Sequence, residues 1–178
     1  RLLPRAGPVA PSSTPLGASC AGQPRMLARP PPLLPPPTPR GQALAMCVVY
    51  DSPLQLVSDD PGAYRDAAGF DFIRRVPTAW DETRFLSGTP GRDIVLARRQ
   101  GSTWYLGAMK ADDAAGENAG HEAKRVPLRF LPPGRYHATV WEDGDTPIDV
   151  RRRELDVSAS DGLTLQLSAA GGAVVILE

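Results

Sequence analysis

Between Glu82 and Leu177 apolar residues come in runs of five to eight positions, alternating with polar ones or rich in β-branched side chains. The runs are Glu82–Leu86, Asp93–Arg98, Thr103–Met109, Arg125–Phe130, Arg135–Glu142, Arg152–Val157, Leu163–Leu167 and Ala173–Leu177. Turn-forming residues separate them: Gly88-Thr89-Pro90-Gly91, Gln100-Gly101, Pro132-Pro133-Gly134, Asp143-Gly144, Asp161-Gly162 and Gly171-Gly172. Eight short strands at this spacing predict an antiparallel sandwich or barrel. Arg98–Thr103 predicts a tight hairpin, since Gly101 can take the positive φ that such a loop needs. The stretch Ala111–Glu122 is polar, small and glycine-containing, which predicts a surface loop.

Upstream of Trp80 the pattern differs. Gln42–Tyr50 is apolar at nearly every position, and periodicity alone leaves a buried helix and a buried strand both open. Pro53 stops it, and Leu54–Val57 has the length of a buried parallel strand. Asp59-Asp60-Pro61-Gly62 is turn chemistry that can start a helix. Tyr64–Arg75 reads as a helix interrupted at Gly69 and stopped by Pro77.

Residues 1–40 change the picture of the whole chain. They hold 12 of its 20 prolines, five arginines and no Asp, Glu or Lys. Such a segment lacks the donors and the amphipathic face that a core requires, so the leader (1–41) is expected to be disordered, with patches of polyproline II. That leaves about one domain's worth of chain. The formal net charge of zero divides into +5 on the leader and −5 on the remainder. Five arginines scattered among prolines make a poor basic patch and the body is acidic, so no nucleic-acid partner is expected. No apolar run reaches the roughly 18 residues of a membrane span, and no membrane partner is expected. Cys20 and Cys47 do not make a disulfide framework, and Cys47 reads as a small buried hydrophobe. The match of Arg29–Pro35 to R-x-x-P-x-x-P arises easily in so proline-rich a stretch. The Pro/Arg/Ala/Gly mixture is also what a GC-rich gene yields out of frame, and residues 1–40 are expected to be such a segment ahead of a true C-terminal fragment.

A set of ordered motifs gives the chain a likeness. They are Val48-Val49-Tyr50-Asp51-Ser52-Pro53-Leu54-Gln55, Asp59-Asp60-Pro61-Gly62-Ala63-Tyr64, Phe70-Asp71-Phe72, Val76-Pro77-Thr78, Trp80-Asp81-Glu82-Thr83 and Trp104-Tyr105-Leu106-Gly107-Ala108-Met109. Together they resemble the end of glycoside hydrolase family 97, the α-glucosidases and α-galactosidases, where such a stretch joins a catalytic barrel to a C-terminal β-domain. The resemblance implies that Gln42–Tyr50 is a helix and that 42–77 is a helix–strand–helix remnant of a (β/α)8 barrel. Residues 78–178 would then be the C-terminal β-sandwich. The expected fold is mainly β: an antiparallel β-sandwich preceded by the barrel remnant and the Pro-rich leader. A whole barrel needs about 200 residues or more, which this chain of 178 residues does not have.

Glycoside hydrolysis needs two carboxylates flanking one bond. By resemblance the acid, the base and the calcium-binding glutamates lie in earlier barrel strands and an N-terminal domain, so no catalytic residue and no cofactor is assigned to this chain. Calcium and an oligosaccharide substrate are implied for the parent enzyme, along with a periplasmic or secreted location and a possible homo-oligomer. Asp59 and Asp60 follow the last expected barrel strand, where barrel active sites lie. They are substrate-binding rim candidates, or else caps of the next helix. The other acids are expected in turns and on strand exteriors, Asp143-Gly144-Asp145 being a turn. Asp81 and Glu82 are expected on opposite faces of a strand, with Trp80 packing the seam between remnant and sandwich. Trp104 and Trp141 offer a sugar-stacking platform or ordinary packing, and only one ring of Trp104-Tyr105 is expected to point inward. His121 and His137 lack metal spacing.

The reading is a C-terminal fragment of an exo-α-glycosidase, inactive alone, with a structural and oligomerising β-domain that runs to its final strand at Ala173–Leu177. The rival is a free-standing β-sandwich module binding carbohydrate or protein. A small enzyme in its own right would need a converging acid/base pair. The apolar segments Gln42–Tyr50 and Leu54–Val57 are expected to be left uncovered and to drive self-association.

Overall fold

The computed structural model describes residues 38–52, 61–112 and 122–178. The leader up to residue 37, the expected strand Leu54–Val57 and most of the 111–122 loop lie outside them.

All eight expected strands form: β1 Glu82–Thr89, β2 Asp93–Gln100, β3 Thr103–Lys110, β4 Glu122–Pro127, β5 Arg135–Asp143, β6 Val150–Ser158, β7 Gly162–Leu167 and β8 Gly172–Leu177. Six make one sheet in the order β1-β2-β3-β8-β5-β6, and β4 pairs with β7 in a second. Every pairing is antiparallel. The β2–β3 hairpin pairs Gln100 with Thr103 and turns on Gly101, whose φ is 60°. β1, β2 and β6 run two or three residues beyond their expected ends, and β4, expected at Arg125–Phe130, is displaced as a whole. The chain leaves the ladder after Pro127 because Leu128 and Leu131 turn inward and Phe130 packs edge-on to Trp104, 5.2 Å between rings. Glu122, placed in the loop on sequence grounds, opens this strand.

The small sheet covers one face of the large one. Leu163, Leu165 and Leu167 of β7 alternate inward against Val95, Trp104, Leu106, Val140 and Val175. Lys124 of β4 also bonds Asp93 of β2 across the two sheets. Burial pushes the Asp93 carboxyl up, but the hydrogen bond and charge of Lys124 outweigh this and hold it below the ordinary aspartate value. A lowered folded value means that the pair's stabilisation is complete above about pH 4 and fades as pH falls through the folded value. The gap in melting temperature between the protein and Lys124→Met is therefore expected to be widest above pH 5 and to narrow toward pH 2.5. Melts across that range with a constant gap would contradict this.

The other face is covered as well. Helix α1 (Arg40–Val49) lies across β3 and β8 and buries Leu44, Ala45 and Val48 with Tyr105, Met109, Trp141, Val174 and Ile176. Beyond it come a 3-10 turn at Pro61–Tyr64 and a short helix α2 (Phe70–Ile73), the interruption that Gly69, at φ 86°, was expected to cause. Two sequence expectations fail here for one reason. Trp104 and Tyr105 are both buried, because the sheet has a covered layer on each side. The apolar run Gln42–Tyr50 is likewise not left uncovered, since its inner positions pack on this domain's own sheet. Burial of Leu44 and Val48 contributes roughly 1.5–3 kcal/mol each.

Candidate functional site

The seat of α1 on the sheet gathers the most unusual chemistry in the described residues. The helix brings no side-chain cap, no acid in its first turn and no base in its last. The sheet supplies both ends. At the N-terminus the Arg40 amide donates to the Pro147 carbonyl at 2.8 Å. Beside it stands Asp143, 2% exposed. Its Oδ2 accepts from the Ser168 amide at 3.0 Å, the Ser168 hydroxyl at 2.9 Å and the Gly172 amide at 2.8 Å. Its Oδ1 faces Gly41, where a Cβ would sit 2.2 Å away. At the C-terminus Arg98, 3% exposed, donates to the Val49 carbonyl at 3.5 Å and to Asp51 Oδ1 at 3.3 Å, with its guanidinium 5.6 Å from the centre of the Trp80 ring.

Arg98 Nε and Asp143 Oδ1 are the two buried side-chain atoms without a hydrogen-bond partner among the described residues. Both belong to the charges at the ends of α1. The carboxylate meets the positive end of the helix dipole and the guanidinium the negative end, an interaction worth up to about 2 kcal/mol at partly buried sites. Ala170, in the left-handed region at φ 50°, lies in the β7–β8 turn whose Ser168 and Gly172 amides Asp143 binds.

Three glycines make the close approach possible. A Cβ at Gly107 would lie 2.8 Å from Val48 Cβ, and one at Gly172 would lie 2.7 Å from the Gln42 Cα. One at Gly41 would also meet the Gly172 carbonyl at 2.3 Å. The segment after α1 is held on the same face. Phe72 packs on Trp141 with ring centres 5.4 Å apart, and the Trp141 indole N–H donates to Asp71 at 3.0 Å. The Tyr105 hydroxyl, whose pKa burial raises, donates to the Arg75 carbonyl at 3.3 Å. Trp80 meets Tyr105 edge-on at 5.2 Å, so it packs on the helix-bearing face as expected.

The sequence-derived candidates fall elsewhere. Asp59 and Asp60 lie outside the described residues, as does His121. Trp104 and Trp141 are 2% and 0% exposed, so neither indole has a face free for a sugar. Asp81 and Glu82 do not separate as expected. Asp81 precedes β1, and Arg99, paired in register with Glu82, reaches both carboxylates at 3.6 and 3.2 Å. His137 is half-exposed beside Asp156 and Glu154. Cys47 is partly buried, which pushes its thiol pKa up.

The expectation that acids occupy turns and exteriors fails for two neighbours. Asp143 ends β5 rather than forming a turn, and Glu142 is buried against Arg153 at 3.0 Å and the Gln166 amide at 2.9 Å. Both serve the scaffold. Among the described residues no three His, Cys, Asp or Glu side chains are grouped as a metal site. Sequence reasoning missed Arg98, Asp143 and the three glycines. The signal available was Gly107, a glycine inside an otherwise apolar strand, which marks a close backbone approach.

Comparison with known proteins gives consistent matches. Residues 79–178 match the family described as glycosyl-hydrolase 97 C-terminal, oligomerisation. A retaining alpha-galactosidase of Bacteroides thetaiotaomicron is 39% identical over 106 residues, 59% of this chain and 15% of the relative. A protein named "Probable retaining alpha-galactosidase", of Streptomyces bingchenggensis, is 36% identical over 135 residues, 75% of this chain and 20% of the relative. Among solved structures, a glycoside hydrolase family 97 enzyme from Pseudoalteromonas sp. strain K8, in complex with acarbose, superposes with a TM-score of 0.70 at 33% identity. That match covers 80% of this chain and 23% of the solved one. The chain thus spans a fifth or less of the curated relatives that it matches.

Proposed function

The chain belongs to glycoside hydrolase family 97 through its C-terminal, oligomerisation domain, and from that premise we propose that it is the C-terminal part of a retaining α-glycosidase. Its role in that enzyme is to hold the end of the catalytic barrel and to bring copies together. The observation that carries this reading is the seat of α1. A free-standing binding module has no use for a helix clamped at both ends by buried charges and admitted by three glycines. An enzyme whose barrel must stay fixed to its C-terminal domain does. The buried state of Trp104 and Trp141 favours the same reading over a carbohydrate-binding module.

The names of both curated relatives support an α-galactoside as the substrate of the whole enzyme. Asp59 and Asp60 belong to this proposal as rim contacts to that substrate, supported by their position after Leu54–Val57. The acid and the base lie in other segments of the parent, so the purified 178-residue chain is expected to release no nitrophenol from an aryl α-galactoside or α-glucoside, with or without calcium. Removing positioned acid–base catalysis costs on the order of 10²–10⁴ in rate for each group. Turnover that disappears in Asp59→Asn or Asp60→Asn would overturn the assignment of chemistry to the missing body.

A further inference from the structure

We draw no further inference here: the strongest candidate, the apolar groove of about 550 Å³ between the flank of α1 and the β1–β2 turn, bordered by the exposed Phe85 and Tyr50, carries none because nothing in the structure shows what covers it.

Discussion

Replacing Gly107 with valine is expected to unseat α1 and to lower the melting temperature by roughly 10 °C or more. The cause is local and steric. A Cβ on residue 107 already meets Val48 Cβ at 2.8 Å and Val49 Cγ2 at 3.0 Å, and valine adds two methyl groups on that side. Val48 cannot swing away, because it is itself wholly buried and β-branched. Overpacking of this kind costs about 1–3 kcal/mol when the surroundings can yield. Here the relief available is to lift the helix, which uncovers Tyr105, Val174 and Ile176 as well. The expected signature is retained strand circular dichroism, a changed near-ultraviolet signal from Trp80 and Tyr105, and increased binding of a hydrophobic dye. A melting temperature within 2 °C of the original would show that α1 does not lie where it is described.

Asp143→Ala is expected to destabilise the protein by about 3–5 kcal/mol. One buried oxygen serves the Ser168 amide, the Ser168 hydroxyl and the Gly172 amide, and each donor left without an acceptor costs about 1–3 kcal/mol. Asp143→Asn separates the two roles of the residue. The amide keeps an oxygen for the three donors and removes the negative charge beside Gly41 and the N-terminus of α1. It should lose about 1–2 kcal/mol, the scale of a charge at a partly buried helix end. Chemical denaturation of the two variants decides the matter. Equal losses in Asn and Ala would assign everything to the charge, whereas no loss in Asn would remove the electrostatic part of the clamp.

Much of the fold was legible before any coordinates. Leu163, Leu165 and Leu167 announce a strand covered on one face by strict alternation, and Ala173–Leu177 announces one covered on both by having no polar position. Gly101 announced its hairpin because its backbone requirement is local. What was not legible depended on partners distant in sequence. Tyr105 looks like a solvent-facing ring until α1, more than fifty residues earlier, is laid over it. Asp143-Gly144-Asp145 has the composition of a turn, and nothing nearby reveals that Ser168 and Gly172 turn their amides toward the first aspartate. Arg98 reads as a polar strand residue, and its burial follows only from where Val49 and Asp51 arrive. Of the candidate site, then, sequence offered Trp80 and the helix but not the charges that hold it.

The position of β8 bears on how the protein is made. Gly172–Leu177 lies between β3 and β5 and, among the described residues, is the strand whose ladder joins the β1-β2-β3 meander to the β5-β6 hairpin within the large sheet. During synthesis these two halves emerge from the ribosome in turn, each with an edge open, and neither can join the other until β8 follows. α1 must wait longer still, since the surface it rests on does not exist before Val174 and Ile176 arrive. Closure of the sheet therefore comes late and depends on contacts remote in sequence, which slows folding and leaves open strand edges exposed to aggregation. A nascent chain halted before residue 172 would carry two unpaired edges and a helix with no floor, and it is at that stage that a chaperone would find most to hold.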